Sequence, residues 1–222
     1  MTAPLLYAAL GIEARAVRRG WRGADVTVIG IGGKRLDSGP AASASARPVV
    51  LFGFCGALDA ARNPGDVVVA TAIDDGSVIV DLPAAQDILG VLRRGGIAAS
   101  GGIVFCSKHI VRGNERQTLA GRATAVDMES GPALAAVGAN RLAVVRVVVD
   151  TPRHGLVRAS LFSGRRVWRA LREVGAALAS GYEATDQRVS TSGNVDLAAR
   201  ASQVSRVSLQ AGAHVAGPTE KG

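Results

Sequence analysis

The chain has 222 residues, 48% of them apolar, and a formal net charge of +8. That length sustains one substantial core and is too short for two. The charge invites a nucleic-acid reading, but nearly all the basic residues are arginines scattered along the chain, with Lys34, Lys108 and Lys221 as the lysines. Pairs such as Arg18-Arg19, Arg93-Arg94 and Arg165-Arg166 fall in helix-like segments without aromatic interleaving. This is the pattern of solvated helix faces, and no nucleic-acid partner is expected. Cys55 and Cys106 provide no disulfide framework, which fits a reduced, cytoplasmic setting. Met1 to Pro4 lacks a signal-peptide pattern, and no apolar stretch approaches the ~20 residues of a membrane span.

In chain order, Leu5 to Leu10 reads as a strand, and Gly11 permits a turn into a helix from about Ile12 to Arg19. Val26 to Ile31 is a second strand, followed by an Ala/Ser/Gly-rich stretch, Lys34 to Arg47, that fits a short helix or a loop equally. Val49 to Phe54 is a central strand. Asn63-Pro64-Gly65-Asp66 is a turn, and Val67 to Ala72 is the next strand, with Ser77 to Val80 as a hairpin partner. Ala84 to Arg94 reads as a helix closed by Gly95-Gly96. In the strand Ile97 to Cys106, Gly101-Gly102 signals a bulge or a close backbone approach. Then follow a helix over Arg112 to Ala120, a short strand over Ala123 to Asp127, a helix over Ser130 to Ala139 and a last core strand over Arg141 to Val149. Gly164 to Ser180 is the longest helix, with Val167, Trp168, Leu171, Val174 and Leu178 at helical spacing. Beyond it, a polar linker over Glu183 to Gly193, a terminal helix over Val195 to Ala213 and a mobile tail are expected. Strands alternating with helices define an α/β class with a parallel or mixed sheet.

Several familiar motifs fail. Gly30-x-Gly32 meets Arg35 where a dinucleotide fingerprint needs its third glycine, and Gly33-Lys34 lacks the rest of a phosphate loop. His109, His154 and His214 are isolated, so no metal is expected. There is no Gly-x-Ser-x-Gly elbow, and no histidine is placed locally to activate Cys55 or Cys106. What remains is a pair of carboxylates at the ends of apolar runs: Glu129 in Ala125-Val126-Asp127-Met128-Glu129-Ser130, and Asp150 after Arg146-Val147-Val148-Val149. In an α/β sheet the strand ends are where ligands bind, and two carboxylates there divide the work: one holds hydroxyls as an anion, the other donates a proton.

These segments together resemble the nucleoside phosphorylase/nucleosidase superfamily. Gly53-Phe54-Cys55-Gly56-Ala57-Leu58 is similar to its Gly-rich strand end, and Pro64-Gly65-Asp66-Val67-Val68-Val69 to its Pro-Gly-Asp-Val strand. Ala125 to Ser130 resembles its Val-x-Met-Glu segment, and Arg146 to Asp150 its Arg-x-x-x-Asp ending. The wording Phe54-Cys55-Gly56-Ala57-Leu58-Asp59 and Asp127-Met128-Glu129-Ser130 is most similar to the hopanoid-biosynthesis-associated phosphorylase branch. The resemblance spans about Leu5 to Leu178. It implies a three-layer α/β/α sandwich with a central mixed twisted sheet over 1–182, with 183–222 appended.

It also implies cleavage of the N-glycosidic bond of a purine nucleoside, with adenine as base and adenosylhopane as a candidate substrate. Asp150 is then the general acid to N7 of the purine. Glu129 holds the ribose 2′- and 3′-hydroxyls, with Met128 against the sugar. Phe54, Cys55, Gly56 and Arg146 belong to the substrate site, and Phe105 is a candidate to stack on the base. Glu13 and Arg15 fall where the superfamily handles the nucleophile, an acid for water or an arginine for phosphate; both types are present, so hydrolysis and phosphorolysis stay open. No cofactor is implied beyond phosphate as an optional co-substrate. The partners implied are a small nucleoside and further copies of the chain, as a homodimer or higher homo-oligomer. The alternatives are a methylthioadenosine/adenosylhomocysteine or futalosine-type nucleosidase, and a nucleoside-binding protein without catalysis.

Two departures from the superfamily pattern stand out. Leu51 and Phe54 occupy places where phosphorylases carry Arg and Ser, which argues against ordinary phosphate binding and for an apolar 5′ substituent. Val149 replaces a common Ser before the acid, which removes a hydrogen bond from Asp150 and should ease its protonation.

Overall fold

The computed structural model describes residues 3–36, 47–153 and 164–184. The chain divides into a unit spanning Thr2–Gly181 and a second made of Tyr182–Gly222 with Met1. The expected linker beyond residue 184, the terminal helix and the tail lie outside the described residues, as does most of the ambiguous Lys34 to Arg47 stretch.

The elements are β1 (Leu5–Ala8), α1 (Gly11–Gly20), β2 (Val26–Val28), a 3-10 turn (Ile31–Gly33), β3 (Val49–Ala57), β4 (Val67–Asp74), β5 (Ile79–Asp81), α2 (Ala85–Arg94), β6 (Ala99–Cys106), α3 (Gly113–Ala120), β7 (Ala125–Asp127), α4 (Ser130–Val137) and β8 (Leu142–Asp150). A further helix, α5, covers 164–184 and so includes Glu183, where the sequence suggests a linker. β3 and β8 read as almost unbroken apolar runs because helices cover both sheet faces and nearly every side chain in them is buried. The turn before β4 forms as its residues dictate: Asp66 accepts the amide of Asn63, and Gly65 adopts φ 95°.

The sheet runs β2-β1-β3-β7-β6-β4-β5 and mixes parallel with antiparallel pairs. It is not simply open. β8 pairs in parallel with β3 and antiparallel with β4, so β3, β8, β4, β6 and β7 close into a ring. α1, α2 and α5 pack on one side over Val50, Phe52, Val145 and Val147. α4 packs on the other side over Leu51, Ala70, Val104 and Val144. These are the three layers of an α/β/α sandwich with a mixed central sheet.

Two irregularities matter at the C-terminal end of the ring. β4 and β6 slip register opposite Gly102, the bulge that the glycine pair signals. β3 and β8 slip as well: Cys55 faces Val148 and Gly56 faces Asp150, so Val149 is an extra residue on β8. That bulge delivers Asp150 beside Gly56. At the same point β3 leaves β8 and pairs with β7 through Gly56 and Ala57, which brings the segment following β7 to the same corner.

Candidate active site

Glu13, Glu129 and Asp150 come to this corner from α1, from the turn between β7 and α4, and from the end of β8. Glu13 is 2% exposed in the first turn of α1. Its carboxylate accepts the amide of Leu10 at 2.7 Å and the amide of Phe54 at 2.8 Å, tying helix to β3. Burial raises its pKa, aided by nearby Glu129, while Arg146 and the two amides pull it down. Gly53 is required beside it, since a Cβ there would strike the Arg146 guanidinium and the Glu13 carboxyl.

Arg146 is fully buried among Asp127, Glu129 and Glu13. Its Nη2 lies 2.5 Å from Asp127 Oδ2 and 3.5 Å from Glu129 Oε2. Burial opposes its charge, but Asp127, Glu129 and Glu13 outweigh that and drive its pKa higher still. The expectation that Arg146 touches substrate is corrected: it does not line the cavity but organises the carboxylates that do. Asp127 accepts the amide and hydroxyl of Ser130, at 3.3 and 2.6 Å, and so holds the start of α4. Glu129 Oε1 accepts the amide of Gly32 at 3.0 Å, from the 3-10 turn. The glutamate is thus gripped from two sides while still facing the cavity.

Asp150 has an ion-pair partner that sequence reasoning missed. Arg116 Nη2 lies 2.7 Å from its Oδ2, with both side chains largely buried. A Cβ on Gly56 would strike the Arg116 guanidinium and press on Asp150 Oδ1. The residue that replaces the common Ser, Val149, therefore does not leave the acid unsupported; a guanidinium from α3 takes that place. Arg116 drew no attention because it is one of two adjacent charged residues on a short polar helix, and the fold alone brings it to β8.

Glu13, Phe54, Cys55, Gly56, Met128, Glu129 and Asp150 all line one cavity of about 180 Å³, together with Leu10, Ile31, Val126, Val149, His109 and Arg116. Ile31 and Ile110 are exposed by more than half at its mouth, at 51% and 57%. A larger hollow of about 890 Å³ adjoins it and shares Ile110, Val111, Arg116 and Asp150. Two expected site residues lie elsewhere. Phe105 packs with Leu58 and Val111 and sits 5.8 Å below the Arg122 guanidinium, outside the cavity lining. Arg15 is exposed on α1 and lines neither space. Helical periodicity explains this: Glu13 faces the sheet, and two residues on, Arg15 must face out. Burial pushes the Cys55 thiol to about 12 and the Cys106 thiol to about 11, so neither is a thiolate near neutrality. Among the described residues no group of His, Cys, Asp and Glu is arranged to hold a metal.

No protein-family model matches this sequence, and no curated protein matches it. Solved structures do. The 5′-methylthioadenosine/S-adenosylhomocysteine nucleosidase of Campylobacter jejuni superposes with a TM-score of 0.66 at 12% identity, over 81% of this chain and 100% of that one. A futalosine hydrolase mutant of Helicobacter pylori gives 0.60 at 14% identity, over 80% and 97%. The purine nucleoside phosphorylase of Toxoplasma gondii, in complex with immucillin-H, gives 0.58 at 17% identity, over 82% and 93%. At these identities the likeness is one of fold: the chain has the phosphorylase/nucleosidase fold, nearly end to end relative to those proteins.

Proposed function

We propose that this protein cleaves the N-glycosidic bond of a purine nucleoside. The observation that carries the proposal is the shared cavity of Glu129 and Asp150, two carboxylates of different surroundings. The ribose binds with its 2′- and 3′-hydroxyls on Glu129, whose anion Arg146 and the Gly32 amide hold in place. The base lies toward Asp150 and Arg116. As the C1′–N9 bond breaks, its electron pair goes to the base, and Asp150 in its protonated form gives that proton to N7, leaving a carboxylate that pairs with Arg116. Positive charge developing on the sugar is stabilised by Glu129.

Water is the nucleophile this arrangement favours. Glu13 lines the cavity and accepts a proton as water adds to C1′. Arg15, the residue suited to phosphate, faces away, and the positions where phosphorylases carry Arg and Ser are the apolar Leu51 and Phe54. Phe54, Met128 and the exposed Ile31 make the sugar end apolar, which suits an apolar 5′ substituent. Adenine as the base, and adenosylhopane as the particular nucleoside, follow from the resemblance of the motifs. We extend the reading to a cytoplasmic homodimer or higher homo-oligomer.

The test is release of free base from 5′-substituted adenosines, followed by chromatography with and without phosphate. Turnover independent of phosphate, lost by at least a thousandfold in Asp150→Asn with nucleoside binding retained, is the expected result. Binding without turnover in the unaltered protein would make it a nucleoside-binding module and end the enzyme reading.

A further inference from the structure

The arginines that look scattered in the sequence are gathered by the fold. α1, α2 and the 164–181 part of α5 lie in one layer, packed closely where glycines permit, backbone to backbone between α1 and α5. A Cβ on Gly20 would strike the carbonyl of Arg172, one on Gly175 would lie 2.9 Å from the carbonyl of Val17, and those on Gly95 and Gly181 would press on Ala177 and Val91. The inner faces of these helices form the core. The outer faces are basic. α1 exposes Arg15, Arg18 and Arg19, α2 exposes Arg93 and Arg94, and α5 exposes Arg165, Arg166, Arg169 and Arg172. Acids offset them only in part: Glu13 is buried in the site, Glu173 is paired to Arg169 at 2.8 Å, Asp66 lies 4.0 Å from Arg166, and Asp87 and Glu183 are exposed, against nine exposed arginines.

Both tryptophans of the chain belong to this layer. Trp21 and Trp168 are half-buried at its surface, and the Arg19 guanidinium lies 5.2 Å over the Trp168 ring. At the start of α5, Arg165, Arg166 and Arg169, with Glu173 beside them, line a cleft of about 460 Å³ against Gly65. A face of arginines with half-buried indole rings has the chemistry of the interface between anionic headgroups and hydrocarbon.

We propose that the α1/α2/α5 layer docks this protein on the surface of an anionic lipid bilayer, with headgroup phosphates on the arginines and the two indoles at headgroup depth. The idea deepens the proposed function, because a nucleoside with an apolar 5′ group partitions into a bilayer and must be met there. α1 links the two places, since its first turn carries both Glu13 and the exposed Ile12. The tryptophans favour lipid over a nucleic acid: there are two of them, with the Arg19 guanidinium over one ring, too few for bases to stack on in series.

Vesicles provide the test. The full-length protein is mixed with phosphatidylcholine vesicles, with vesicles containing phosphatidylglycerol, and with a DNA duplex at matched phosphate concentration. Sedimentation and tryptophan emission are read at low and high salt. Binding to the anionic vesicles alone is expected, with blue-shifted emission, reversed by salt. Arg93→Gln/Arg94→Gln and Arg165→Gln/Arg172→Gln should each weaken partitioning by about fivefold per arginine removed, with melting temperature and turnover of a water-soluble 5′-methylthio nucleoside unchanged. Equal binding to neutral vesicles, no binding to anionic ones, or tighter binding to the duplex would each overturn the proposal. Vesicle binding requires no catalysis, so a protein that docks but cleaves nothing would end the enzymatic reading and leave the surface standing.

Discussion

At the scale of single residues, the site is a set of acids around one buried cation. Arg146 is surrounded by Asp127, Glu129 and Glu13 and has no exposure to water. Removing it leaves three buried acids uncompensated, so Arg146→Met should cost ~3–5 kcal/mol, read as a lowered urea midpoint. Glu13 gives a pH signature. Its folded pKa is raised above the ordinary 4.5, chiefly by burial. Between those two values the folded state binds the extra proton, so the stability this group contributes is present below about pH 4.5 and is lost as pH rises through the raised value. Glu13→Gln should flatten that part of the stability profile, and denaturant titrations of both proteins across pH 4 to 8 measure it; a wild-type profile parallel to the variant's would refute the assignment. If the proposed hydrolysis holds, the same substitution abolishes it, since the water would lose its proton acceptor.

At the scale of elements, the bulge at Val149 and the strand switch at Gly56 do what no single residue does. They turn the end of β8 and the β7–α4 turn into one corner. Gly56 is the position where that geometry is tightest. Gly56→Ala should displace the Arg116–Asp150 pair rather than unfold the protein, because the atoms in the way are the ends of side chains. A loss of about a hundredfold in kcat with a nearly unchanged melting temperature is expected, the usual consequence of a ~1 Å misplacement of a reacting group. Steady-state kinetics beside thermal melting separates this from simple destabilisation.

At the scale of the whole molecule, the fold brings residues far apart in sequence together twice: acids into one cavity and arginines onto one layer. The elements themselves were legible in the sequence because their signals are local. Ala85–Arg94 and Gly113–Ala120 begin within a residue of the helices that the pattern suggests, and the hairpin partner of β4 and the bulge near Gly102 follow from turn and glycine signals. Glu129 and Asp150 stood out because each follows an apolar strand, and strand ends are exposed to ligand. Arg116, the Gly32 amide and the register slip at Val149 could not be read, since each depends on contacts between segments distant in the chain. Phe105 and Arg15 were misplaced for the complementary reason: a place near a strand end or a helix start does not fix which way a side chain points.

The sequence by itself therefore determined the class of fold and the order of its elements, and it singled out two carboxylates that the fold brings to one cavity, because hydrophobic period, turn chemistry and strand ends are written locally. Tertiary structure alone decided the closure of the sheet through β8, the pairing of Asp150 with Arg116 and the burial of Arg146 among three acids. Those outcomes depend on register and packing between remote segments, where a shift of one residue moves a side chain to the opposite face.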